Sequence, residues 1–283
     1  GNRDAMPVDV GGKLRKLRTF LYNSHDKSVL GRTAKSWGCI SLFFLSYYLV
    51  LAGLFASLMA IFFAMCITEK MPYLTGEHSL IKNLPGLTIA MHQKEDLGFY
   101  HFFVNNENKS SGVIDSQKKL LDSYSKTDST FVCNETFNDL PNRPCRFDIT
   151  TLGSCADPVA ALKIGKPCIY LKLNKVYGWL PKIKNETLSP AGFVNCSGKN
   201  AIDEYLLGKP IYHPEIVVNN VKYASMSNLQ FPYLNQKAYQ TPIVAVQFPN
   251  LMNNVLVMVK CEVHNLENSV GDISFEIAVD DKA

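Results

Sequence analysis

Thirty-one consecutive residues, Gly38 to Thr68, carry no formal charge. A hydrocarbon core about 30 Å thick needs only about 20 such residues as a helix. The stretch therefore predicts one transmembrane helix, set at 37–68, long enough to tilt or to reach the headgroups. Its length excludes a secretory signal peptide, whose apolar core is about 7 to 15 residues, and makes it a signal-anchor instead. The flanks set the orientation. Arg3, Lys13, Arg15, Lys16, Arg18, Lys27, Arg32 and Lys35 precede the span, while Lys70 is the one cation in the first dozen residues after it. Cationic flanks stay cytoplasmic, so the expectation is a single-pass type II protein with its N-terminus inside.

Four segments follow: a cytoplasmic tail at 1–36, the span at 37–68, an extended extracellular stalk at 69–93 and an extracellular domain at 94–283. Gly1 to Ala5 precedes Met6 and reads as a scar or processed remnant, outside the argument. In the tail, Leu14, Leu17, Phe20 and Leu21 have helical spacing among basic residues, which suits a short surface helix at the inner leaflet or a frayed tail. Trp37 stands where an interfacial anchor is expected.

Cysteines and sequons agree with this topology. Cys39 and Cys66 bound the span; Cys133, Cys145, Cys155, Cys168, Cys196 and Cys261 all follow it, an even set in an oxidising compartment. Three disulfides are expected, and spacing alone leaves every pairing open. The glycosylation acceptors Asn108, Asn134, Asn185 and Asn195 also lie beyond the span, with Asn195 the poorest because Cys196 sits inside its sequon.

Within the span, Ala52, Ala56, Ala60 and Ala64 recur every fourth residue, with Gly53 and Ser57 beside them and Phe43, Phe44, Tyr47 and Tyr48 nearer the inside. Helices in lipid associate by close backbone approach, which small side chains permit. Phe44, Tyr47, Tyr48, Ala52, Gly53, Ala56, Ser57 and Ala60 are therefore the candidate face toward a partner helix.

Beyond the span the pattern is mainly β. Val255, Val257, Val259, Cys261 and Val263 alternate with Leu256, Met258, Lys260 and Glu262, and Ile273, Phe275, Ile277 and Val279 repeat the pattern after the turn-prone stretch Asn268 to Asp272. Thr241 to Phe248 and Cys168 to Leu173 are further strands; Ile114 to Tyr124 and Ala201 to Leu207 read as helices. An antiparallel sandwich fits this order. No Walker A, H-E-x-x-H, G-x-S-x-G, C-x-x-C or D-x-D motif occurs, and His78, His92, His101, His213 and His264 lack metal-ligand spacing. The reading is of no enzyme, no cofactor and no metal. A net charge of +4, partly in the tail, suits an anionic leaflet and no nucleic acid.

Several segments together resemble the β subunit of the P-type sodium/potassium and proton/potassium pumps. They are Leu30-Gly31-Arg32-Thr33 with Ser36-Trp37, Leu51 to Phe55, Pro85-Gly86-Leu87, Pro144 to Phe147, Leu152 to Cys155, Gly165 to Val176, Ala245 to Phe248 and Val259 to Cys261. The segment Leu229 to Asn235 departs from the aromatic run usual there, and Phe44 replaces the upstream tyrosine of a membrane pair that keeps Tyr48. The resemblance implies an immunoglobulin-like ectodomain and pairings Cys133–Cys145, Cys155–Cys168 and Cys196–Cys261. It also implies a non-catalytic subunit of the plasma membrane that assembles with a large α subunit, with a small single-span regulatory subunit as a further partner beside membrane lipid. A sodium/potassium pump is the leading expectation. A proton/potassium pump or a type II adhesion glycoprotein are the alternatives.

Overall fold

The computed structural model describes residues 20–23, 27–68, 71–79, 81–91, 98–104, 110–126, 130–133 and 144–280. The chain divides into two compact units, Gly1–Ile67 and Thr68–Ala283. Most of the proposed tail helix, Asn108, Asn134 and His92 lie outside the described residues.

The first unit holds three two-residue strands, β1 (Tyr22–Asn23), β2 (Ser28–Val29) and β3 (Arg32–Thr33), followed directly by helix α1 (Ala34–Cys66). At 33 residues α1 reaches about 50 Å, well beyond a hydrocarbon core. It starts three residues before the expected boundary, and no residue in it is buried. A helix apolar all round that finds no core in its own chain has the length and character of a membrane span.

In the second unit the elements are β4 (Leu87–Ile89), β5 (Phe99–Phe103), α2 (Ser111–Ser125), α3 (Pro158–Lys163), β6 (Cys168–Leu173), β7 (Phe193–Gly198), α4 (Ala201–Leu207), β8 (Ile211–His213), β9 (Glu215–Val218), β10 (Val221–Ser225), β11 (Ile243–Gln247), β12 (Leu256–His264) and β13 (Asp272–Asp280). Among the described residues they build a six-stranded sheet, β5-β13-β12-β7-β10-β9, and a four-stranded sheet, β4-β6-β11-β8. One continuous hydrophobic core draws on both sheets and on α2. This is the expected mainly-β sandwich behind a single apolar helix.

Local sequence explains the central strands. In β12, Val257, Val259 and Cys261 are buried while Leu256 and Met258 are exposed, and in β13 Phe275, Ile277 and Val279 are buried. That is period-two alternation with one face on the core. The two strands pair antiparallel from Leu256↔Ala278 to Glu262↔Asp272. β6 and β11 read instead as continuous apolar runs, and β11 is buried at every position. The reason is a helical layer on the far side of the small sheet. Gln117 Nε2 in α2 donates to the Cys168 carbonyl at 2.8 Å, and Tyr124 Oη donates to the Thr241 carbonyl at 2.6 Å. A strand covered on both faces has no polar side to alternate with.

Two features correct the sequence-based layout. The 69–93 stalk is not extended to its end: Leu87–Ile89 pairs with β6, and Leu87, Ala90 and Met91 are buried. Lower down, the Gly76 amide donates to the Tyr177 carbonyl at 2.9 Å, so this stretch is laid against the domain. A Cβ at Gly76 would come within 2.6 Å of the Gly178 oxygen, and both glycines have positive φ, so the approach depends on them. The second departure is β5, which pairs parallel to β13, whereas the other named strands among the described residues pair antiparallel. His101 Nε2 on β5 lies 2.8 Å from Asp280 Oδ2 on β13.

Candidate functional site

The three disulfides are Cys133–Cys145, Cys155–Cys168 and Cys196–Cys261, closing sequence separations of 12, 13 and 65 residues. This is the consecutive pairing that the resemblance implies. Chain entropy alone assigns about 3 kcal/mol to each short loop and about 4 to the long one. The long bridge joins residues directly opposite each other on β7 and β12, both buried. It staples two neighbouring strands of one sheet rather than sheet to sheet.

Beside the Cys155–Cys168 bridge lies a polar network. Gln247 Nε2 donates to the Lys166 carbonyl at 3.0 Å, which leaves Oε1 to accept from Ser154 Oγ at 3.1 Å. The His213 Nε2, 3.3 Å from Ser154 Oγ, must then be the donor in that contact. An imidazole that donates to a serine cannot take its proton, so the pair is no activated nucleophile. Burial lowers the His213 pKa, while Gln247 and the Glu215 charge pull the other way. Gly153, at φ +54, gives the ring room, since a Cβ there would sit 2.8 Å from Nδ1.

A second cluster escaped sequence reading. Tyr177 stacks on Tyr233 at 5.1 Å between ring centroids, Tyr239 meets Tyr233 at 4.9 Å, and Lys175 Nζ lies 5.2 and 5.3 Å from the Tyr233 and Tyr239 rings. Burial pulls the Lys175 pKa down and raises those of Tyr233 and Tyr239. The four residues come from two distant loops, so no spacing rule could have joined them. No group of three or more His, Cys, Asp or Glu suited to a metal occurs among the described residues.

Two acceptor asparagines can be compared. Asn185 is exposed, and its Oδ1 accepts from the Thr187 amide at 3.0 Å and from Thr187 Oγ1 at 2.6 Å within its own sequon. Asn195 is half-buried in β7, its Oδ1 accepts from Tyr212 Oη at 2.8 Å, and its neighbour Cys196 is bridged.

On α1 the structure sorts the candidate interface residues by row. At 3.6 residues per turn, positions four apart form a ridge inclined to the axis. Phe44, Tyr48, Ala52, Ala56 and Ala60 lie on one such ridge, aromatic at its start and small thereafter. The Phe44 and Tyr48 rings stack at 6.3 Å. Gly53 and Ser57 form the adjoining row, where Ser57 Oγ donates to the Gly53 carbonyl at 2.7 Å and satisfies itself within the helix. A Cβ at Gly53 would meet nothing within 4 Å, so its own chain leaves this groove open. Tyr47 falls on a different row and shares only an edge contact with Tyr48, at 5.4 Å.

A disulfide-framed β-sandwich that follows, in the chain, one long apolar helix without a buried residue defines a class: a protein with one helix fit to span a membrane and a separate folded domain after it. The family profile described as "Sodium / potassium ATPase beta chain" matches residues 9–276. The chain belongs to that family. It is 30% identical to the probable sodium/potassium-transporting ATPase subunit beta-3 of Caenorhabditis briggsae, over 94% of this chain and 87% of that one. It is likewise 30% identical to the sodium/potassium-transporting ATPase subunit beta-1 of Tetronarce californica, over 98% of each. It is 26% identical to the potassium-transporting ATPase subunit beta of Canis lupus familiaris, over 89% of this chain and 87% of that one.

Proposed function

We propose that this chain is the non-catalytic β subunit of a sodium/potassium-transporting pump. In this reading it stabilises a large catalytic α subunit, accompanies it to the plasma membrane and tunes its potassium affinity and occlusion. The observation that carries the reading is the contrast within α1: a helix without a buried residue bears one ridge built for close approach. Lipid provides no hydrophobic drive for helices to associate, so a small-residue ridge with an aromatic head acts through packing against another helix. A single span cannot enclose an ion with polar ligands at membrane depth, which leaves transport itself to the partner. The sequence also lacks an Asp-Lys-Thr-Gly-Thr phosphorylation motif.

The N-terminus is inside and the sandwich outside, as the cationic flank directs. Asn185 carries glycan, with Asn108 and Asn134 as further acceptors and Asn195 the weakest. The influence on transport is a difference in contact energy between pump states, since a partner shifts an equilibrium only as far as it prefers one state. Coupling of this kind amounts to about 1 to 3 kcal/mol.

The test is co-expression of this chain with a sodium/potassium pump α subunit or with a proton/potassium pump α subunit. Mild-detergent co-purification, potassium activation and potassium occlusion are then measured. Assembly with the first and a shift in potassium activation relative to another β subunit support the proposal. Preference for the second α subunit transfers it to the proton/potassium pump. Recovery of the chain alone or as a homodimer favours the adhesion reading, and ATP hydrolysis by the isolated chain overturns all of these.

A further inference from the structure

The segment before the span exposes an apolar surface that no core claims. β2 and β3 pair with Val29 opposite Arg32, so their hairpin turns on Leu30 and Gly31 alone. Both have positive φ, +53 and +74, as in the type I′ turn of a two-residue hairpin. Asparagine, aspartate and glycine adopt the first of these positions readily, whereas a leucine there is crowded against its own backbone. The strained position holds Leu30 out at the tip, 43% exposed, beside Val29 at 46%, with Phe20, Leu21 and Tyr22 all at 50% or more.

The hairpin is tied to the helix. Trp37 Nε1 donates to the Val29 carbonyl at 2.9 Å, and the Leu30 amide donates to the Leu21 carbonyl at 3.2 Å. α1 begins at the residue after β3, with no linker between them. Lys27, Arg32 and Lys35 are exposed around the apolar residues, and the sequence from Lys27 to Thr68 contains no acidic residue.

We propose that this meander is a membrane-surface foot: Leu30, Val29 and the neighbouring aromatic side chains enter the headgroup layer, and Lys27, Arg32 and Lys35 bind the phosphodiesters of anionic lipid. Continuity names the occupant. A hairpin held by Trp37 to the first turn of a membrane helix stands within a few ångströms of the interface, about 1.5 Å of rise per residue away. Apolar tip and cationic rim are the two components of interfacial binding, and anionic leaflets attract each cation near the surface. The choice of an anionic inner leaflet rests on the inside N-terminus proposed above.

The experiment uses the full chain with Cys39→Ala and Cys66→Ala, a spin label at Leu30→Cys or Val29→Cys, and phosphatidylcholine vesicles with or without phosphatidylserine. Relaxation by oxygen, which concentrates in lipid, is compared with relaxation by a water-soluble nickel chelate. Both labels should favour oxygen, more so with phosphatidylserine. Lys27→Gln with Arg32→Gln should remove the phosphatidylserine-dependent part, each cation counting for about fivefold in partitioning. Leu30→Asn suits the turn better yet should return the Val29 label to nickel, which separates lost insertion from misfolding. Nickel accessibility of both labels in every vesicle, or shielding from both reagents by a second copy of the chain, overturns the proposal. An impermeant maleimide on intact cells separates this from the topology. Reaction at Leu30→Cys from outside defeats the inside N-terminus, whereas no reaction in cells combined with aqueous exposure in vesicles defeats the foot alone.

Discussion

The two units solve the same problem, what to do with apolar surface, in opposite ways. The unit from Thr68 onward hides its own: Ile169, Leu171, Val244, Val246, Val257 and Val259 are all at most 1% exposed. The unit ending at Ile67 buries, among its described residues, no large apolar side chain, and Val50 and Met65 stand more than 70% exposed. The lesson is about where each obtains its stability. The sandwich is held by internal burial and by bridges whose worth is set in its own unfolded state; the helix is completed by molecules outside the chain. Changes in the first should be read as folding, and changes in the second as assembly.

The sharpest way to break that division is to remove the long bridge. Cys196→Ala with Cys261→Ala should cost the domain about 4 kcal/mol, against about 3 for the Cys133 and Cys145 pair, on the chain-entropy account. With only about 5 to 15 kcal/mol of net stability available, the first variant should lose most of its protease resistance in pulse proteolysis of the full chain. An equal and small loss for both would show that the sandwich does not depend on its bridges.

Next in size is Gly198→Ala. The end of β7 runs under α4, and a Cβ there would lie 2.0 Å from the Glu204 amide nitrogen. Glu204 Oε2 also accepts from the Gly198 amide, and Asp203 Oδ1 accepts from the Met258 amide at 3.3 Å, so α4 is fixed to both strands. Backbone must shift, and overpacking of this kind costs about 1 to 3 kcal/mol. The denaturant midpoint of the full chain in detergent should fall, while co-purification of an α subunit by the remaining folded protein should not.

The mirror experiment lies in the span. Gly53→Leu or Ala56→Phe fills the open rows and should reduce co-purification severalfold, with the ectodomain's protease resistance unchanged. Leu58→Phe, off the ridge, should do less. Equal losses for all three would remove the ridge from the interface, and loss of ectodomain stability would erase the distinction between the units.

How much of this was legible in the sequence follows the same division. The span, β6, β11, β12, β13 and α4 were readable because each carries a local signal: an uncharged run, a continuous apolar run, an alternation or a helical spacing. α2 was readable from Leu120, Leu121 and Tyr124, but not its consequence, the second covered face of the small sheet. β5 alternates, with Tyr100 and Phe102 buried, yet its parallel partner β13 lies at the far end of the chain, and nothing local announces a pairing at that distance. β4 was hidden inside a Pro- and Gly-marked stretch whose burial is a tertiary fact. The Tyr177, Tyr233, Tyr239 and Lys175 cluster and the Ser154, His213 and Gln247 network were invisible for the same reason. In the span, four-residue periodicity puts Tyr48, Ala52, Ala56 and Ala60 on one ridge and Gly53 and Ser57 on the next, whereas Tyr47, included in the candidate face as a neighbour of Tyr48 in sequence, falls on a different row of the helix.

The smallest effect expected is a dependence on pH, and it tests whether the sandwich, unlike the span, senses its medium through internal contacts. Burial lowers the His213 pKa in the folded domain, whereas an unfolded histidine titrates near about 6.5. The folded state therefore binds fewer protons than the unfolded one in the window just below that value. Stability is fully present above it and is lost as pH falls through the folded pKa. Protonation leaves the Nε2–H bond to Ser154 intact and puts the second proton on Nδ1, where partial burial disfavours the charged ring. Glu215, paired with Lys222 Nζ at 3.0 Å, offsets only part of the cost. Urea midpoints of the full chain should decline between neutral and mildly acid pH, and His213→Gln should flatten that decline while keeping a donor for Ser154. A decline of the same slope in the variant would assign the pH response to carboxylates elsewhere and leave His213 a packing residue alone.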